Sequence, residues 1–362
     1  MGEITKSVNS APERGGWRPA LALAVLSPLI AEVLSGATKF SVLFALVPEI
    51  LVWGCGALII REAVRRWQGG WTSMLLLGLG LSIAEEFVVQ QTSLAPLPFP
   101  GALVQYGRAW GVNWLYFLFM LGYESVWVVL VPVQVTELIF RDRRNVPWLR
   151  NRGLIVSALL FLIGSRIAWY AWIKRVRPMI FHLPPYHPGA LTIGCGLLAI
   201  ALLGMLAYLL RHVGTGMPNS TRAVPPVWLV AILGFVLGCP FYGLMSFVFA
   251  PKEPHVAFGV VMAGGVAWAA LVYLLLGRIT RSVRWTDVHR WALAFGATVL
   301  CMAAGFSGSR SWLPIDLYGK AVLNVLAAIA FFLLLSRLRR RPLAGEAARE
   351  TPHDAVAGNL NS

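Results

Sequence analysis

The 362-residue chain is 57% hydrophobic and only 13% charged, with a mean hydropathy of +0.68. A soluble domain carries roughly 25% charged residues, so too little polar surface exists here to cover a water-soluble globule. The formal charge of +15 does not mark a nucleic-acid binder, because the basic residues lie in short segments between apolar blocks, with no aromatic-interleaved basic domain.

Apolar blocks of about twenty residues, the length that crosses a hydrocarbon core of roughly 30 Å, fall at 18–36, 40–60, 71–91, 112–140 and 153–173. Five more follow at 189–210, 226–249, 256–277, 289–307 and 318–336. The expected fold is all-α: a polytopic transmembrane helix bundle of about ten spans over 18–336, after an N-terminal segment 1–17 and before a polar, disordered tail 337–362. Block 112–140 is long and holds Pro132, which predicts a tilt, a kink or an extension beyond the membrane.

Most of the 31 Lys and Arg residues fall on one alternating set of segments. These carry Arg14 and Arg18, then Arg61, Arg65 and Arg66, then Arg141, Arg143 and Arg144, then Arg278 and Arg281, and finally Arg337, Arg339 and Arg340. The positive-inside rule makes that set, and hence both termini, cytoplasmic. Short loops and the lack of organelle targeting point to a bacterial inner (plasma) membrane. The lipid bilayer is the one partner implied, and its anionic head groups suit the basic segments. Residues 19–31 also resemble a signal peptide, with Arg14 and Arg18 upstream and Ser35-Gly36-Ala37 downstream. Glu32 favours a retained helix instead.

Cys55, Cys195, Cys239 and Cys301 each lie in an apolar block without a CxxC, and read as small buried hydrophobes. His182 and His187 sit in a proline-rich loop at a spacing that fits no standard metal site. No metal or cofactor is expected. The paired glycines (Gly54 and Gly56, Gly78 and Gly80, Gly264 and Gly265) carry no phosphate-loop signature and predict close helix packing. Arg61-to-Trp67 and Arg278-to-Trp285 both close a span with basic residues and a Trp, a likeness that interfacial anchoring explains without duplication.

Ionisable groups at mid-bilayer cost on the order of 2.5–3.5 kcal/mol each, so their presence points to function. Glu32, Glu49, Glu85, Glu86 and Glu124 fall within spans, as does Arg166. By depth they share the central-to-outer half of the bundle. Glu49 follows Pro48, which frees a backbone carbonyl one turn earlier, and Glu86 shares an i,i+4 helix face with Gln90. Arg166 is expected to neutralise one carboxylate. The candidate intramembrane polar site is therefore Glu49, Glu85, Glu86, Gln90, Glu124 and Arg166, with catalytic residues unassigned. Adjacent carboxylates repel, so a pair supplies an acid and a base, or binds and releases a proton or cation.

The stretch Ala84-Glu85-Glu86-Phe-Val-Val-Gln90 resembles the first motif, Glu-Glu-x-x-x-Arg, of the CAAX-protease and bacteriocin-processing intramembrane family, and Phe119-Met-Leu-Gly-Tyr123 stands where its Phe-x-x-x-His would fall. Gln90 replaces the arginine and Tyr123 the histidine, so the resemblance implies an intramembrane hydrolase whose metal chemistry is lost or altered. The string from Pro48 to Glu62 also resembles uncharacterised bacterial multi-span proteins. Three readings result: a transporter or permease-like protein, which the absent mid-membrane histidines favour; a divergent hydrolase; and a non-catalytic scaffold subunit. The proline-rich loop after the Glu pair, with Pro98, Pro100, Tyr106 and Arg108, is a candidate lid.

Overall fold

The computed structural model describes residues 16–97, 106–215, 220–250, 254–307, 309 and 312–340. The expected disordered tail beyond Arg340, the N-terminal segment before Gly16, and Pro98 and Pro100 of the candidate lid lie outside the described residues.

Among the described residues, ten helices follow the ten apolar blocks. They are α1 (Trp17–Pro28, continued by a π-turn over Leu29–Val33), α2 (Phe40–Arg66), α3 (Trp71–Val89), α4 (Trp114–Ile139) and α5 (Asn151–Met179). Then come α6 (Ala190–Leu209), α7 (Val227–Val248), α8 (Phe258–Ile279), α9 (Asp287–Ala304) and α10 (Pro314–Arg340). Among the described residues the only sheet is a hairpin before α4, pairing β1 (Arg108–Ala109) with β2 (Val112–Asn113). Trp110 and Gly111 turn it with positive φ (49° and 77°), as a two-residue hairpin loop requires. The chain is thus an all-α bundle, and eight of its helices, all but α1 and α9, are long and apolar enough to cross a membrane.

The helices divide into an inner and an outer set. Within the apolar windows of α2, α3 and α4 half or more of the residues are buried (50%, 61% and 61%), against 11% in α5 and α6 and none in α8. The outer helices turn Leu191, Leu274 and Phe332 outward, as a lipid-facing surface would. Helix α9 is an inner element, with Trp291, Ala292, Ala294, Leu300 and Cys301 all buried. A helix enclosed by protein needs no apolar outer face, which is why α1 and α9 are shorter or more polar than the rest.

Small residues set the closest contacts. Gly296 of α9 packs on the Ala231 carbonyl of α7, and Gly234 of α7 on the Leu293 carbonyl of α9, leaving no room for a methyl group at either position. Gly54 of α2 rests on the Ala24 carbonyl, the acceptor that Pro28 of α1 leaves without an intrahelical donor. Gly78 of α3 meets the backbone of Ser125 in α4. The predicted tight packing is seen at Gly54 and Gly78, whereas Gly264 faces open space.

At one end of the bundle the basic residues form a buried ion network. Arg61 is fully buried, bonding Glu62 (2.9 Å), Glu137 (3.2 Å) and the carbonyls of Arg144 and Val146 (both 2.8 Å), with its guanidinium 3.5 Å from the Trp148 ring. Glu62 accepts the backbone N–H groups of Trp148 and Leu149. Arg65 reaches Glu137 at 2.7 Å, and Asp287 receives Arg141 (2.6 Å) and Arg144 (2.5 Å). These pairs tie α2, α4, the loop to α5, and α9 together at this basic end.

Candidate functional site: a buried carboxylate cluster

Among the described residues, five π-helical segments interrupt the helices, and four of them hold or adjoin an acid. Glu32 lies within Leu29–Val33, and Glu49 immediately precedes Ile50–Gly54. Glu85 and Glu86 lie within Ala84–Val89, and Glu124 opens Glu124–Leu130. Such bulges are rare, concentrate at functional sites and loosen the i→i+4 ladder locally. Here they change one expectation. The Gln90 N–H donates to the Glu85 carbonyl (2.8 Å), an i→i+5 bond, so the register is that of a π-turn and not the i,i+4 face assumed for Glu86 and Gln90. Gln90 is half-buried, and no side-chain bond joins it to Glu86.

Glu49, Glu85, Glu86 and Glu124 are buried, the last three at 1% exposure or less. Glu32 lies in electrostatic range of Glu49, Glu85 and Glu124, and Glu124 in range of Glu85 and Glu86. Helices α1, α2, α3 and α4 therefore direct their acids into one region. Glu49 accepts the Thr38 hydroxyl. Glu86 Oε2 accepts two hydroxyl donors, Thr92 (2.7 Å) and Ser93 (2.6 Å). Both oxygens of Glu85, and one each of Glu86 and Glu49, have no hydrogen-bond partner. Ser82, fully buried, is the hydroxyl donor beside Glu124. Among the described residues no Lys or Arg is in salt-bridge contact with any of these acids.

Arg166 is not the counter-charge. It lies on the exposed face of outer helix α5, its guanidinium 4.4 Å from the Trp169 ring, with Lys174 on the same ring. A long cationic side chain on a lipid-facing helix reaches along the surface toward an aromatic belt. The buried cation nearest in kind is Lys320 of α10, which donates to the Leu34 (2.5 Å) and Met302 (3.1 Å) carbonyls near the ends of α1 and α9. There it complements two helix dipoles.

Around the acids stands an aromatic layer absent from the sequence-based site. Tyr123 stacks on Trp127 (5.6 Å between ring centroids), and Tyr242 of α7 sits edge-on to Trp127 (5.4 Å). The Tyr123 hydroxyl donates to the Ala31 carbonyl of the α1 π-turn, and the Cys301 thiol donates to Ile30 in the same turn. The hydroxyls Thr38, Ser82, Thr92 and Ser93 were also missed. Only their neighbourhood to the glutamates in sequence could have indicated them. Among the described residues no three carboxylate, imidazole or thiol groups converge as a metal site would require.

Fold and site together define a helical membrane-type bundle with an acid cluster at its centre. No known protein family, no curated protein and no solved structure matches the chain.

Proposed function

We propose that this chain is a ten-span protein of a bacterial inner membrane, with both ends in the cytoplasm, that uses its central carboxylates to bind and release protons or a small cation during transport. One observation supports this above others: among the described residues, buried carboxylate oxygens of Glu49, Glu85 and Glu86 meet neither a donor nor a cation. A structural ion-pair network satisfies its charges, as the Arg61 network does at the basic end. An unsatisfied buried acid instead holds a proton or takes a cation. Like charges so close cannot all be carried at once, so occupancy at one carboxyl alters the next. On this reading the basic end faces the cytoplasm.

The test is proton flux in vesicles reconstituted with wild-type protein, Glu85→Gln, Glu86→Gln and Glu124→Gln, beside elemental analysis of each sample. Loss of flux in the variants supports transport. Unchanged flux in all three sinks it and favours a scaffold. Near-stoichiometric metal that vanishes with Glu85 and Glu86 would favour the hydrolase implied by the Glu-Glu resemblance.

A further inference from the structure

The chain immediately after α3, Gln91 to Ala95, does not lie on the surface. Gln91, Thr92, Ser93, Leu94, Ala95 and Leu97 are all buried, so their backbone groups need protein partners. Five consecutive carbonyls are gripped by side chains or backbone from the outward side. Asn113 takes Thr92 O (3.3 Å) and Ala95 O (2.7 Å) through its amide, and Ser93 O (2.7 Å) through its backbone N–H. Arg108 takes Leu94 O (2.8 Å) and is itself oriented by Asn113 (2.6 Å). Arg177, from the end of α5, takes Pro96 O (3.1 Å). On its inward side the same segment sends the Thr92 and Ser93 hydroxyls to Glu86. Gln91, where the segment leaves the π-turn, has φ of 59°, a left-handed conformation uncommon for a residue with a side chain.

We infer that residues 91–97 form the outer gate of the carboxylate site, and that Glu86 is its latch. This inference rests on the transport reading. The Glu86 carboxylate offers one oxygen to the gate and keeps the other, unpartnered, toward the cluster. A proton or cation arriving at Glu86 competes for the electron pairs that Thr92 and Ser93 occupy. Hydrogen bonds to an ionised acceptor are roughly twice as strong as neutral ones, so occupancy loosens the gate. Loading the site and releasing the loop thereby become one event, with Gln91 as the hinge and the Asn113–Arg108 hairpin as the seat.

The test places a reporter thiol in the gate. In the full chain carrying Cys195→Ser and Cys239→Ser, Leu94→Cys is labelled with a membrane-impermeant maleimide, in whole cells and in inside-out vesicles. The reporter should react slowly in this background. It should react at least about tenfold faster, in whole cells only, when Thr92→Val/Ser93→Ala or Glu86→Gln is added. Asn113→Ala, which cuts the grip from the opposite side, should do the same if either of those variants fails to fold. Equal slow labelling in all folded variants, fast labelling without them, or reaction only in inside-out vesicles would overturn the gate. Labelling needs no transport, so gated labelling without proton flux would sink the transport reading alone, and intact flux with ungated labelling would sink the gate alone.

Discussion

The Ser27 hydroxyl of α1 donates to the Val128 carbonyl of α4 at 2.7 Å, in a fully buried contact. Val128 is the residue whose carbonyl Pro132, lacking an N–H, cannot serve. The proline inside α4 and the serine on a neighbouring helix are therefore one device. Ser27→Ala should lower stability by about 1 kcal/mol, the usual worth of an interhelical hydrogen bond. Pro132→Ala returns a donor to the helix, so the double variant should lose less than the sum of the singles. Thermal unfolding in detergent of all four proteins checks this, and strict additivity would refute it.

Arg61 and Arg65 share Glu137 but differ in setting, Arg61 being fully buried and Arg65 14% exposed. Arg61→Gln strips a buried network of its hub, a change of about 3–5 kcal/mol, and folded protein should be nearly lost. Arg65→Gln leaves Glu137 Oε1 its bond to Arg61 but takes the donor from Oε2, and should cost about 1–3 kcal/mol, less than Arg61→Gln. Arg61→Lys should not rescue, since an ammonium cannot span the several acceptors and lie flat on Trp148. Yield of monodisperse protein on size exclusion distinguishes these outcomes.

Gly296→Ala forces a methyl against the Ala231 carbonyl and should destabilise by about 1–3 kcal/mol through overpacking of α7 on α9. Gly264→Ala, with nothing within 4 Å, should be neutral or slightly stabilising through helix propensity. Equal unfolding temperatures for the two variants would contradict the packing described.

The acids should separate by stability as well as by flux. Glu124→Gln removes a buried carboxyl with a single neighbouring hydroxyl, Ser82, and leaves that hydroxyl an amide acceptor, so its unfolding temperature should hold or rise. Glu86→Gln weakens two hydroxyl contacts and should lose about 1 kcal/mol. Differential scanning fluorimetry on both resolves the order, and a reversed order would show that Glu124 is the better satisfied group.

Helix positions were legible in the sequence because apolar length answers to a single demand, the thickness of a bilayer. The placing of Glu32, Glu85, Glu86 and Glu124 within these helices followed from the same count. Their lateral meeting did not, because rotation about each helix axis depends on which neighbour it packs against. The π-turns were also hidden, and with them the register that parts Glu86 from Gln90. Arg166 was misjudged on a general ground: an ionisable group within a span was assumed to face inward, whereas a side chain of its length can follow a lipid-facing helix to the aromatic belt. The partners of Glu86 were overlooked because Thr92 and Ser93 lie in a connection, and only the buried return of that connection places them under the acid.

The enclosure of α9 bears on how the protein is made. This helix begins with Asp287, held by Arg141 and Arg144 from the α4–α5 loop, and is not among the eight that are apolar enough to cross a membrane. On its own it gains little from leaving the translocon sideways into lipid. Its stable berth is the groove already shaped by α7 and α4, completed when α10 is synthesised. On the ten-span reading proposed above, assembly would not run strictly one helix at a time: the ninth segment would wait for company, and ribosomes stalled before α10 should leave it exposed to quality-control proteases.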